Sequence, residues 1–295
     1  NTINKLSSIK DDRLILVKNE KNIGAIPNMI KSLSNNDSLF SLLVLDKDIL
    51  DVSYIEELLN QLQSYKECGF GFINPERRLS GLKARVEWYN KKGVQNVLKT
   101  SYLNQHPSGY LYSSKVINEV IRTDRIKSIN PTFVFIFEVI NSELALNYDS
   151  IIFDWPMVIR ARERGDDSKS ITYSESNLWY SCDYRLNTYT VYLNDIINLK
   201  TNIKSRKKIA YLITKKELKN ITSVLKSLMI NDYACEHYVV SKRKVGYMEM
   251  ITNAQKLLNI YKTQCVGVFP KFYICLKYYQ LRVFVFINIL LSYVK

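Results

Sequence analysis

Apolar and polar positions along the chain alternate in a way that marks short strands and helices in its first half. Arg13-Leu14-Ile15-Leu16-Val17 reads as a short apolar strand. A polar segment follows, Asn19-Glu20-Lys21-Asn22-Ile23-Gly24, and then a helix through Met29-Ile30-Lys31-Ser32-Leu33. Leu42-Leu43-Val44-Leu45 is a continuous apolar run, the pattern of a strand buried in a parallel sheet, and it ends in Asp46-Lys47-Asp48. Strand, Gly-containing turn, helix and second strand together predict a βαβ unit. Tyr54 to Tyr65 carries Ile55, Leu58, Leu59 and Leu62 at helical spacing, and Phe70 to Pro75 reads as the next short strand.

The acids at the end of the second strand carry the first chemistry. In open α/β sheets ligands bind beyond the carboxyl ends of the strands. Hard divalent cations take oxygen donors, and Mg²⁺ commonly uses one or two protein carboxylates while substrate phosphates supply further ligands. Asp46 and Asp48 are therefore candidate ligands for Mg²⁺ or Mn²⁺ at a nucleotide-sugar site. Acids in that place also cap helices or face water, so the motif needs its context.

That context resembles the family 2 glycosyltransferases, inverting enzymes with the GT-A fold. Their Asn-Xaa-Gly-Xaa-Xaa-Xaa-Asn segment is similar to Asn22-Ile23-Gly24-Ala25-Ile26-Pro27-Asn28, and their acid motif to Asp46-Lys47-Asp48, in the same order. Among them the chain most resembles bacterial transferases that build capsule or lipopolysaccharide O-antigen units. It departs from that group at Lys47, where the middle residue is often acidic. The resemblance implies an α/β, Rossmann-like GT-A domain over 1–160 that lacks its first βαβ unit and starts inside the following helix, with Asn1 to Leu6. A basic, mainly helical region would follow over 161–295.

The same resemblance implies roles for single residues. Asn22, Gly24, Asn28, Asp46, His106 and Gly109 would contact the nucleotide-sugar donor, the last two within His106-Pro107-Ser108-Gly109-Tyr110-Leu111-Tyr112, where a Gly-containing turn leads into a strand. His106, one of only two histidines, reads equally as a structural hydrogen-bonding residue. Inverting transfer needs a carboxylate to take the proton of the attacking hydroxyl, and the resemblance puts that base at the start of a helix, here Phe137 to Leu146 with a strand over Tyr148 to Phe153 after it, where Glu138 occupies its place. Val139 stands where the family has a second acid, which keeps Glu143 and, behind it, Asp124 in competition. The implied partners are a nucleotide-sugar donor and a glycan or lipid-linked acceptor.

Composition adds a second theme. The chain has 295 residues and a formal net charge of +14. Lys200, Lys204, Arg206, Lys207, Lys208, Lys215, Lys216, Lys219 and Lys226 cluster with Glu217 as the one acid between 199 and 226. This density favours an anionic partner. No nucleic-acid motif accompanies it, which disfavours nucleic acid and leaves an anionic membrane surface. Phe269 to Val294 is aromatic and aliphatic but broken by Lys271, Lys277 and Arg282, so no apolar run approaches the roughly 20 residues of a spanning helix. It reads either as an interfacial segment or as a buried terminal element. Cys68, Cys182, Cys235, Cys265 and Cys275 form no Cys-Xaa-Xaa-Cys pair, so neither a zinc site nor a disulfide framework is expected and a reducing cytoplasm fits. Arg77, Arg78, Lys83 and Arg85 could meet a diphosphate or simply face water. Aromatics such as Trp179 and Tyr180 could stack on sugar or pack between helices. The alternative to an active transferase is a fragment or scaffold that keeps the fold and the membrane contact without catalysis.

Overall fold

The computed structural model describes residues 9–12, 14–34, 37–46, 48–65, 67–73, 86–103, 106–130, 133–155, 157–159, 182–230 and 247–293. The expected helix at Asn1 to Leu6, Arg13, Lys47, the basic residues Arg77, Arg78, Lys83 and Arg85, and Trp179 and Tyr180 lie outside them.

The fold is α/β with a mixed sheet. Helix α1 (Ala25–Ser34) leads to strand β1 (Phe40–Leu42), β2 (Ile49–Leu50) and helix α2 (Ile55–Ser64). Then come β3 (Cys68–Ile73), β4 (Val86–Asn90), α3 (Val94–Thr100), β5 (Tyr110–Ser113), α4 (Ser114–Ile121), the short α5 (Asp124–Lys127), α6 (Ile136–Asn147), β6 (Asp149–Asp154) and β7 (Val158–Ile159). Four longer helices follow, α7 (Cys182–Asn198), α8 (Ile203–Ile230), α9 (Tyr247–Cys265) and α10 (Lys271–Tyr293). The main sheet has the order β1-β5-β3-β6-β4, and β2 pairs with β7 in a separate ribbon. Only β3 and β6 run parallel; the other three pairings of the main sheet are antiparallel.

Two expectations fail here, each for a physical reason. The run Leu42 to Leu45 is not a buried parallel strand. Its strand is Phe40–Leu42, antiparallel to β5 at the end of the described sheet, with Leu43 extending the ladder through bonds to Tyr110 and Gly109. Burial alternates, Ser41 and Leu43 inward and Leu42 and Val44 less so, which is the signature of a strand with one packed face. Leu14 to Val17 is likewise no strand: all four side chains are exposed and no strand pairs with them among the described residues. Apolar character alone does not make a strand, because its backbone groups need a neighbour.

Elsewhere the periodicity reads through. Helix α2 buries Leu58 and Leu62, with Leu59 turned outward. Strand β3 is buried at every position between β5 and β6. Helix α6 is buried nearly all round, including Glu138, Asn141 and Ser142, so its polar side chains need internal partners. One continuous cluster of buried side chains runs from Ile26 in α1 through Tyr110 and Tyr112, past α6, to Tyr189 and Tyr192 of α7 and on to Leu281 and Ile289 of α10. Aromatic rings fill the seam between sheet and helices, with Tyr102 and Tyr192 centroids 5.0 Å apart and Tyr110 and Phe137 5.9 Å apart.

Candidate functional site

The acid motif sits on a tight turn after β1. The Asp48 amide donates to the Leu45 carbonyl at 3.0 Å, closing the turn. Asp46 projects into solvent, whereas the Asp48 side chain is fully covered. What covers it is the segment before β5, about sixty residues downstream. Ser108 Oγ donates a short hydrogen bond to Asp48 Oδ2 and accepts one from the Leu45 amide at 2.9 Å. His106 Nδ1 lies 3.6 Å from the same Oδ2. Two segments singled out separately in the sequence therefore meet through one carboxylate.

Gly109 makes that meeting possible. Its φ is +98°, and a Cβ there would stand 2.6 Å from the Ile73 carbonyl oxygen. The residue bridges two strands, donating its amide to the Leu43 carbonyl while its own carbonyl accepts from the Ile73 amide, both at 2.8 Å. Only glycine meets the conformation and the space together.

Asn22, Gly24 and Asn28 gather at the N-terminus of α1. Asn22 Oδ1 accepts the Gly24 amide at 2.9 Å, and Asn28 Oδ1 accepts from Asn19 at 2.7 Å. Gly24 has φ +88°, the turn that starts the helix. With Lys21 these residues line a recess of about 300 Å³ whose walls do not include Asp46, Asp48, His106 or Gly109. A helix N-terminus with a nearby ammonium favours an anion such as a phosphate. Behind it, Gly24 to Pro27 share a cavity of about 720 Å³ with Asn130, Phe133, Tyr184, Asn187 and Asn194. Its lining mixes aliphatic side chains such as Ile26, Ile129 and Val191 with the amide, hydroxyl and aromatic ones, without a charged side chain.

Glu138 is placed inside the protein, 1% exposed, at the start of α6. Its Oε1 accepts the Tyr110 hydroxyl at 3.0 Å and its Oε2 the Leu103 amide at 2.8 Å. Burial and then the Glu138 charge hold the Tyr110 and Tyr112 hydroxyls well above the ordinary tyrosine range. Lys216 of α8 reaches the other side of the same loop, donating to the Tyr102 carbonyl at 3.2 Å. Burial pulls the Lys216 ammonium down, and burial pushes its neighbour Glu217 up.

Glu143 and Asp124 have other surroundings. Glu143 is ion-paired with Arg125. Asp124 is exposed on the first turn of α5, capped by Thr123. Arg125 is the hub of a network that periodicity did not reveal: its Nε and Nη2 each donate to Asp195 of α7 at 2.7 Å, and Nη2 donates to Ser142 at 2.7 Å. The Tyr102 hydroxyl donates to Asp195 Oδ2 at 2.6 Å. Burial pushes the Asp195 carboxyl up, with Arg125 opposing. Ser108, Arg125 and Asp195 carry no local motif, and only their partners identify them.

Among the described residues no group of three or more His, Cys, Asp and Glu is placed to hold a metal ion. The carboxylates of Asp46 and Asp48 are the donor type that a hard divalent cation takes, and the covered Asp48 side chain would have to turn away from Ser108 to join the exposed Asp46 at one ion. No protein-family model, curated protein or solved structure matches the chain.

Proposed function

We propose that the chain is a glycosyltransferase of the GT-A type, related to family 2, which moves a sugar from a nucleotide-sugar donor to a glycan or lipid-linked acceptor with inversion, at the cytoplasmic face of a bacterial membrane. The observation that carries this reading is the union of Asp48 with Ser108 and His106. An acid motif and a Gly-containing segment, about sixty residues apart and both expected at the donor site, converge on one carboxylate oxygen. In this reading Asp46 and an oriented Asp48 would hold Mg²⁺ or Mn²⁺, which would neutralise charge on the departing diphosphate. The recess at Asn22, Gly24 and Asn28 would take an anionic part of the donor.

Glu138 is the proposed base, and its burial gives it a structural task as well. Glu138→Gln separates the two. Loss of a base lowers turnover roughly 10²-fold and removes the acidic limb of the rate profile, on top of the drop in melting that losing one of its two acceptor oxygens brings. Loss of a structural carboxylate lowers melting and leaves the profile's shape alone.

A second reading, a fold that binds nucleotide or membrane without turnover, draws support from the covered Asp48 side chain. Calorimetric titration of the full chain with uridine, guanosine and cytidine diphosphates, each with and without Mn²⁺, tests the assignment. Mn²⁺-dependent binding of one of them, lost in Asp46→Ala and Asp48→Asn, is the expected result. Binding of none of them, or binding indifferent to Mn²⁺ and to both substitutions, refutes it. Binding without sugar release from the matching nucleotide-sugar, in the presence of acceptor lipid extract, favours the second reading.

A further inference from the structure

Helix α10 has two apolar faces, and only one of them is packed. Ile274, Leu281, Val285 and Ile289 are buried against the core. Phe272, Leu276, Tyr279, Val283 and Phe286 are exposed, with Phe272 at 79% and Phe286 at 63%. Their spacing of four, three, four and three residues sets them in one stripe along the opposite side, which Ile287 widens. At 1.5 Å per residue the stripe is about 20 Å long.

Cations flank this stripe on both sides. From α8, Lys207 lies 5.0 Å from the Tyr273 ring and Lys215 4.8 Å from the Phe284 ring. Lys277 of α10 itself lies 4.4 Å from the Tyr211 ring of α8. On the α9 side Lys262 lies 5.7 Å and Arg282 of α10 6.0 Å from the Tyr278 ring. Helix α10 contains no acid at all, and Lys200, Lys204 and Lys208 near the start of α8 are exposed.

We propose that this face docks on an anionic lipid surface, with α10 lying in the plane of the interface. Phe272, Tyr279 and Phe286 enter the boundary between headgroups and acyl chains, while the flanking lysines and Arg282 meet lipid phosphates. A second copy of the chain fits the stripe less well. Two such faces would bring lysines against lysines with no acid on α10 to answer them. Spanning is not the mode, since no helix among the described residues is long and apolar enough to cross a membrane. The proposal rests on this face alone and not on sugar transfer, and its test needs no donor.

The test is co-sedimentation of the full chain with vesicles of phosphatidylcholine, with and without phosphatidylglycerol. Strong binding only when phosphatidylglycerol is present, weakened but not abolished by salt, is expected. Phe272→Ser with Phe286→Ser should lower partitioning about tenfold or more at any salt, since exposed aromatic area is what enters the lipid. Lys207→Gln with Lys215→Gln should lower it roughly fivefold per lysine at low salt and little at high salt. Binding that ignores phosphatidylglycerol, or survives the serine pair undiminished, overturns the proposal. So does failure of the parent chain to bind vesicles, whether it then dimerises through Phe286 or binds polyuridylate instead. The lipid and salt arms use the parent chain, so the proposal stays testable even if a variant misfolds.

Discussion

Replacing Ser108 with alanine removes one oxygen that serves two partners. Its hydroxyl donates to Asp48 and accepts from the Leu45 amide. A hydrogen bond to a charged group contributes about 1.5–3 kcal/mol, and a partly buried amide left without its acceptor costs about 1 kcal/mol or more. Ser108→Ala should therefore destabilise the protein by about 3 kcal/mol, or roughly 5 °C in melting temperature at this chain length. The functional effect is separable from the stability effect. Hydrogen bonds to a metal-binding carboxylate fix its orientation, and losing one typically weakens metal affinity by about 10–100-fold. Calorimetric titration of Mn²⁺ at a temperature where both chains are folded measures that loss directly. Unchanged Mn²⁺ affinity beside the expected drop in melting would refute Asp48 as a ligand and leave Ser108 as a strand-end tie. A tighter cation in Ser108→Ala would refute the reasoning from the other side, because Ser108 would then be competing with the metal for Asp48.

Gly109→Ala forces a left-handed backbone on a residue with a Cβ and drives that Cβ onto the Ile73 carbonyl; urea unfolding should read a loss of about 3 kcal/mol or more. Asp195→Ala leaves the buried Arg125 guanidinium with Glu143 as its remaining charge partner, at a cost of about 3 kcal/mol, and Arg125→Met with Asp195→Leu should recover only part of it in the same unfolding assay, because Glu143 then loses its cation and the Tyr102 hydroxyl its acceptor. Burial raises the Asp149 carboxyl, but bonds from the Tyr89 hydroxyl, the Lys92 amide and the Lys91 ammonium outweigh it and hold the pKa below the usual range. Asp149 thus stabilises the fold above the unfolded carboxylate value, and that contribution disappears as pH falls through the lower folded value. The stability gap between parent and Asp149→Asn, followed by urea unfolding, should be constant from about pH 5 to 8 and close below about pH 4.

Part of the first half was legible from local apolar pattern. The α2 and β3 segments were expected near their observed place because a stripe or a run of apolar residues defines them, whereas α6, buried nearly all round, and β6 were expected from the resemblance. The direction of β1 was not legible. Leu42 to Leu45 looks like a continuous apolar run, and its half-buried alternation depends on which strand pairs with it. Strand β4, Val-Glu-Trp-Tyr-Asn, was missed because its Trp88 and Tyr89 are exposed and its charged and polar positions break any run. The Asp46, Asp48, His106 and Gly109 pieces could be named singly, yet nothing in the sequence said that Ser108 would join them. Arg125 and Asp195 are seventy residues apart, and a buried ion pair of that separation leaves no periodic trace. The terminal segment offered a choice between core and interface, and α10 packs one apolar face in the core and leaves the other exposed.

The loop at Tyr102 and Leu103 has a mechanical consequence for how the molecule can be divided. It hangs between α6, through the Leu103 amide on Glu138, and α8, through Lys216 on the Tyr102 carbonyl. Its tyrosine ring is clasped from above by Tyr192, and its hydroxyl is tied to Asp195 of α7. The helices after residue 182 thus act as a keel for the sheet, gripping it within a few residues of His106. A chain cut at residue 160 would keep the Glu138 tie but lose the grip of Tyr192, Asp195 and Lys216 at once, and with it the alignment of the segment that orients Asp48.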